Sequence, residues 1–287
     1  MITPIKIMII WLASYPKSGN TLIRSILATY FFSKDGIFHF DHLYKIGQFP
    51  SLDFFKKAGI DISNKEEIFK NYISAQQQLN QQNGTKINFL KTHSSFFANK
   101  NISFSNKENT LGGIYIVRDP RNVVTSIAHH YQLTENDALD RMLEKNSFIG
   151  KTDTHADIFL SSWNFNYLSW KKLKDKVLFI KYEDLIENKK ESLIKVFKFF
   201  EKLGMKKSSF DLAKLDKVIE STEFDKMKKL EKNVEFTESV VDKKTGQRIP
   251  FFNLGPKNQW KNFLKVETIE KIENSFKKEM QELGYLL

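Results

Sequence analysis

The chain has 287 residues, 41% hydrophobic content, 26 phenylalanines and four tryptophans. That is enough apolar material for a sizeable core, and residues 1–287 are expected to form one domain. With no cysteine, disulfide staples, thiolate nucleophiles and cysteine-held zinc are excluded. The formal charge of +11 does not identify a partner by itself, because lysines such as Lys226, Lys228, Lys229 and Lys232 fall on solvated helix faces.

In chain order, Ile5–Ser14 is a near-continuous apolar run and reads as a buried parallel strand. Its apolar part, Ile7–Ala13, is too short and lacks the cleavage site of a signal peptide. No run approaches the ~18 apolar residues that a membrane span needs, so a cytoplasmic location is expected. Thr21–Phe32 follows with helical spacing. Lys86–Leu90, Gly113–Val117 and Val177–Tyr182 read as further strands, the last two followed by helices over Pro120–Tyr131 and Lys189–Leu203. Longer helices are expected over Lys65–Gln82, Ala156–Leu173 and Val266–Leu283. Alternation of this kind predicts an α/β fold, a central parallel sheet flanked by helices, with ligands at the carboxyl ends of its strands. The stretch from about 230 to 257 is irregular and is expected to be a long mobile loop covering the site.

The first strand runs into Tyr15-Pro16-Lys17-Ser18-Gly19-Asn20-Thr21, and a helix follows. A turn at a helix N-terminus offers unpaired amides to an anion. Gly19 permits close backbone approach, Lys17 adds charge, and Ser18 and Thr21 add hydroxyls. The lysine precedes the glycine, unlike Walker A, so an ordinary ATP site is not indicated. A second anion site is suggested where the strand ending in Val117 meets Arg118-Asp119-Pro120. Asp119 is placed as N-cap and Pro120 as the first helical residue, with Ser126 two turns on. A third strand end carries Lys91-Thr92-His93. Alternate residues of an extended chain point the same way, so Lys91 and His93 are expected to face one site, the histidine as general base.

These strings, taken together, resemble the cytosolic-type sulfotransferase family. The resemblance implies a fold like that of the P-loop NTPases and transfer of a sulfuryl group from 3′-phosphoadenosine 5′-phosphosulfate (PAPS) to a small-molecule hydroxyl or amine. The product nucleotide would be 3′-phosphoadenosine 5′-phosphate (PAP), and no metal is implied. By the resemblance, Lys17 contacts the bridging and sulfuryl oxygens, and Ser18, Gly19, Asn20 and Thr21 hold the 5′-phosphate. Arg118 and Ser126 clasp the 3′-phosphate. His93 and Lys91 match the catalytic pair. Tyr182, Thr222 and Phe224 match residues around the adenine, and Gly255 with Trp260 matches the late glycine–tryptophan motif. Leu22 stands where the family places an adenine-stacking tryptophan, and Asn253-Leu254 where it places arginine and lysine; Lys257 and Arg248 are the candidate replacements. Lys261, Val266 and Glu270 fit the family's dimer motif, with Lys265 in place of threonine, which leaves a homodimer open.

Two other readings stand beside this one. One is a P-loop-type nucleotide kinase using ATP, disfavoured by the lysine's position. The other is a non-enzymatic nucleic-acid-binding protein, for which the sequence offers charge but no basic–aromatic groove. Acceptor contacts are expected from Phe31–Leu52, Met142–Asp157 and Thr237–Phe252, including Phe31, Phe32, Phe38, Phe40, Phe148, Phe251 and Phe252. The acceptor's identity is not legible.

Overall fold

The computed structural model describes residues 8–82, 87–99, 102–206, 210–234, 236, 238–242 and 245–287. Its centre is a five-stranded sheet of β1 (Met8–Ser14), β2 (Gly47–Gln48), β3 (Ile87–Thr92), β4 (Thr110–Val117) and β5 (Val177–Lys181), in the order β2-β3-β1-β4-β5. Every pairing is parallel, with Ala13 opposite Thr92, Ser14 opposite Ile116 and Val117 opposite Lys181. The expected parallel sheet is present, although the predicted starts Ile5 and Lys86 lie outside the described residues.

β1 is apolar along its length because both its faces are covered. Ile9, Trp11 and Ala13 enter one core with Tyr115, Val117, Trp163 and Trp170. Ile10 and Leu12 enter the other with Ile114, Ile116, Ile23 and Phe200. On this second side lie α1 (Asn20–Phe32), α9 (Lys189–Lys202), α10 (Leu212–Ser221) and α11 (Phe224–Asn233). The first side carries α4 (Tyr72–Gln82), α5 (Pro120–Tyr131), α7 (Trp163–Trp170) and α12 (Val266–Ser275).

Each of the three long helices expected from periodicity is interrupted. Lys65–Gln82 divides at Asn71 into α3 (Lys65–Lys70) and α4, where the Asn71 side chain donates to the Glu67 carbonyl at 2.8 Å. That bond competes with the helical ladder. In Ala156–Leu173 the helix is confined to Trp163–Trp170, because the Ala156 amide donates to Pro50 and Ile158–Phe159 pairs antiparallel with Phe148–Ile149. Val266–Leu283 breaks at Phe276 into α12 and α13 (Lys277–Glu282); Phe276 is buried against Trp163 at 5.0 Å. The stretch expected to be irregular from residue 230 is helical to Asn233 and then forms a short antiparallel pairing of Val240–Val241 with Arg248–Ile249.

Candidate active site

All five strands run the same way, so the residues that follow β1, β3, β4 and β5 emerge on one edge of the sheet. They meet at a cavity of about 700 Å³ lined by Lys17, Gly19, Asn20, Thr21, Lys91, His93, Arg118, Ser126, Tyr182, Phe224 and Gly255, among others. Of the residues that the sequence motifs place at the site, Ser18, Thr222 and Trp260 do not line it. Ser18 belongs to the loop, but its side chain is fully buried. The Thr222 hydroxyl is spent on the Val218 carbonyl at 2.7 Å as α10 ends.

The loop after β1 is held open by its backbone. Lys17 and Gly19 have φ values of 62° and 103°, and a Cβ on Gly19 would stand 2.5 Å from Cδ2 of Tyr182. Only glycine suits that combination. Gly19 N-caps α1 without any side-chain bond, so the helix opens on free amides facing the cavity. Asn20 is fixed by its side chain, which donates to the Leu12 carbonyl at 2.8 Å. Arg118 links the loop to β4. Its Nη1 donates to the Lys17 carbonyl at 2.8 Å, and its guanidinium lies 4.3 Å over the Tyr182 ring. As expected, Asp119 caps α5, accepting from the Arg121 amide, with Pro120 at the first helical position.

Several polar atoms around the loop are buried without partners among the described residues: the acceptor Asn20 Oδ1 and the donors Ser18 Oγ, Arg118 Nε and Arg24 Nε. Buried donors are normally satisfied. Three in one neighbourhood, two of them on arginines, fit a polyanionic ligand such as a phosphorylated nucleotide.

The His93 ring sits beside the end of β1. Its Nδ1 donates to the Ser14 carbonyl at 2.8 Å, which leaves Nε2 with a free lone pair. Burial, then the nearby Lys91 ammonium, push its pKa down to about 3, so the ring is neutral throughout the working range. Lys17 is held at about 7, burial being the largest cause and Glu238 the main opposing one. Its ammonium lies 3.8 Å over Phe251 and 3.4 Å from His130 Nδ1.

Four contributors escaped the sequence reading. Arg24, one turn into α1, turns its guanidinium to Glu238 at 2.9 Å. Glu238 itself reaches in from the covering segment. His130 contacts Lys17, and Lys189 lines the cavity. Arg24 has a readable signal, a cation one turn into a helix that opens on an anion loop; Glu238 sits in an irregular charged stretch and has none. Two expected replacements fall elsewhere: neither Lys257 nor Arg248 lines the cavity, and the Arg248 side chain donates to Ser239 and the Phe236 carbonyl. The late segment reaches the cavity through Asn253, Leu254, Gly255 and Asn258, whose Oδ1 accepts from Thr125 at 2.9 Å. Trp260 stacks on Arg121 at 4.1 Å. Of the seven candidate acceptor-site phenylalanines, only Phe251 and Phe252 line the cavity. Phe31, Phe38 and Phe40 pack with the core and Phe148 against Phe159, while Phe32 is exposed on the surface.

A parallel sheet with a glycine-bearing loop after its central strand, an arginine at one neighbouring strand end and a neutral histidine at the other is an arrangement suited to group transfer from a phosphorylated ligand. A family model described as Sulfotransferase domain matches residues 9–284. Sulfotransferase 1 family member D1 of Mus musculus is 26% identical over 288 residues, covering 95% of this chain and 83% of that protein. Sulfotransferase 1E1 of Homo sapiens is 26% identical over 274 residues, with coverage of 94% and 83%. In fold, the chain is similar to mouse sulfotransferase SULT7A1 complexed with PAP (TM-score 0.58, 20% identity, 95% of this chain and 84% of that one). It is also similar to retinol dehydratase in complex with androsterone and inactive cofactor PAP (TM-score 0.59, 18% identity, 95% and 80%). The chain belongs to the sulfotransferase family.

Proposed function

We propose that this protein transfers a sulfuryl group from PAPS to a hydroxyl or amine of a small-molecule acceptor, releasing PAP, with His93 as general base. The observation that carries the reading is the pairing of His93, its Nδ1 committed to Ser14 and its Nε2 free, with an anion loop across one cavity. His93 takes the acceptor proton as the acceptor oxygen or nitrogen bonds to sulfur and the bond from sulfur to the bridging oxygen breaks. Lys17 and Lys91 stabilise the sulfuryl and leaving phosphate oxygens, as expected of an in-line displacement governed by positioning and electrostatics. Ser18, Gly19, Asn20 and Thr21 hold the 5′-phosphate, and Arg118 with Ser126 the 3′-phosphate. Tyr182, Thr222 and Phe224 form the adenine end, Thr222 by fixing the backbone there, and Gly255 closes it.

The reading treats residues 1–287 as one sulfotransferase domain with no metal requirement, acting in the cytoplasm. No described helix is long and apolar enough to cross a membrane. A homodimer through the segment around Lys261, Val266 and Glu270 is part of the same reading, and Val266 is exposed there.

The test is thermal stabilisation by PAP, with ADP and magnesium-ATP as controls. A ligand at a hundred times its Kd adds about 2.7 kcal/mol, worth roughly 5–10 °C in a domain of this size. The expected result is a shift with PAP that the controls do not match. A shift with magnesium-ATP and none with PAP would overturn the assignment in favour of a nucleotide kinase.

A further inference from the structure

One carboxylate occupies the anion side of the cavity. Glu238, on the covering segment, accepts from Thr21 Oγ1 at 2.6 Å through Oε2, and from both Arg24 Nη1 and Lys91 Nζ at 2.9 Å through Oε1. The three donors come from the rigid frame, two from the first turns of α1 and one from the end of β3. Arg24 and Lys91 are themselves buried, their side chains 9% and 8% exposed.

We propose that Thr21, Arg24 and Lys91 form an anion subsite for the phosphosulfate end of the donor, that Glu238 fills it in the ligand-free protein, and that donor entry expels Glu238. This rests on the sulfotransferase reading and adds Arg24 to the donor-binding residues.

Charge and hydrogen-bond counting support it. Two cations face one carboxylate, so the cluster retains an unbalanced positive charge. The donor carries a negative charge on each of its phosphate and sulfate groups and balances the pair more fully. Arg24 keeps a buried Nε with no partner among the described residues while Glu238 is in place, so the carboxylate satisfies the subsite incompletely. The Thr21 hydroxyl has one proton and gives it to Glu238; a phosphate oxygen at the same place must displace that carboxylate. Lys91 cannot stabilise a leaving oxygen while its charge is committed to an internal anion. Glu238 is held well below the usual carboxylate range by Lys91 and Arg24 against the opposing effect of burial, so it remains ionised and competes at any working pH.

Withdrawal of Glu238 needs its side chain and the short pairing after it to move, not the whole segment. The described part of this cover is anchored on one side of Glu238 by Phe236, buried against Phe40, Phe251 and Phe252, and held on the other by the two-residue pairing of Val240–Val241 with Arg248–Ile249 and by the Ser239 and Arg248 contacts at Phe236. The donors it touches belong to the core of the fold.

The experiment compares PAP affinity, by calorimetry, for the wild-type protein, Glu238→Gln and the double variant Glu238→Gln/Arg24→Gln. Glutamine keeps the volume and an acceptor for Thr21 but removes the competing charge. Glu238→Gln is expected to bind PAP about tenfold more tightly, and adding Arg24→Gln to lose about tenfold. If wild type binds PAP in preference to ADP and Glu238→Gln binds it equally or more weakly, this proposal falls and the sulfotransferase reading stands. If neither binds PAP, both fall. A readout on the intact latch guards against misfolding of these variants. Because the chain has no cysteine, Ser239→Cys creates a single thiol beside Glu238. PAP is expected to speed its labelling at least severalfold. Slower labelling would mean that Glu238 clamps the cover over the donor, and would overturn the proposal.

Discussion

Lys17 offers the sharpest test of the electrostatics at the loop. Lys17 is half-buried; the loss of water around its ammonium, with repulsion from Arg118 and Lys91, holds its pKa at about 7 despite the opposing pull of Glu238 and Glu231. An isolated lysine titrates near 10.4. A bound phosphate supplies the missing counter-charge and raises the pKa of Lys17 in the complex, so only the protonated form is binding-competent. The apparent Kd is then the intrinsic value divided by the protonated fraction. That fraction is about one half at pH 7 and about 3% at pH 8.5, so PAP affinity is expected to fall roughly fifteenfold over that interval. Above pH 7 the free protein binds fewer protons than the complex, so raising pH drives ligand off. The phosphates of PAP, with a second pKa near 6, are about nine-tenths ionised at pH 7 and contribute little slope. Calorimetric titrations at four pH values, on wild type and Lys17→Met, measure the effect. Lys17→Met is expected to bind weakly with little pH dependence. A flat wild-type profile, or the same slope in both proteins, would refute the assignment of the titration to Lys17.

Other consequences are as specific. His93→Ala is expected to lower kcat by at least a hundredfold, the lower range for general base catalysis, while PAP affinity changes less than about threefold; retention of most turnover would remove His93 as the base. Because burial and Lys91 hold His93 at about 3, and the base is active when unprotonated, kcat/KM is expected to show no acid limb near the ordinary histidine value of about 6.5. Gly19→Ala forces a Cβ against the Tyr182 ring at a φ of 103°. The left-handed penalty of about 1–2 kcal/mol and the disturbed contact of Arg118 with Tyr182, worth about 0.5–2 kcal/mol, predict a Tm lower by roughly 5 °C and weaker PAP binding; an unchanged Tm would show that the loop accommodates the side chain. Arg121→Met leaves Asp119 and Glu273 without a guanidinium that bonds both and the Tyr285 carbonyl. Stranding a buried charge costs about 3–5 kcal/mol, a Tm loss on the order of 10 °C, measurable by calorimetry.

The parts of the site that sequence reveals are those where chemistry and chain geometry coincide. Lys17 to Thr21, His93 and Arg118 each follow an apolar strand, and the parallel sheet delivers all of them to one edge. Local pattern therefore sufficed, because strand direction converted three separate strings into one cavity. Strand and helix positions near the core were readable for the same reason. The three long helices were not, because their breaks are decided by partners far away in sequence: Phe276 meets Trp163, and Ala156 meets Pro50. Asn71 is the exception, with a competing bond that is local.

Glu238 shows the other limit. Nothing near it in sequence distinguishes it from the charged residues around it, and its meaning arises only when a segment more than two hundred residues beyond the loop folds back onto Thr21, Arg24 and Lys91. The same arrangement explains why the site tolerates so much buried positive charge without ligand. Arg118 is eased by the Tyr182 ring and the Lys17 carbonyl, Lys17 by a lowered pKa and the face of Phe251, and Arg24 with Lys91 by Glu238. These cations are therefore balanced in three different ways, Arg24 and Lys91 sharing one carboxylate. A ring, a carbonyl and a lost proton are readily given up, whereas a charged carboxylate has to be moved. Of the four, Glu238 alone makes donor binding depend on a conformational step.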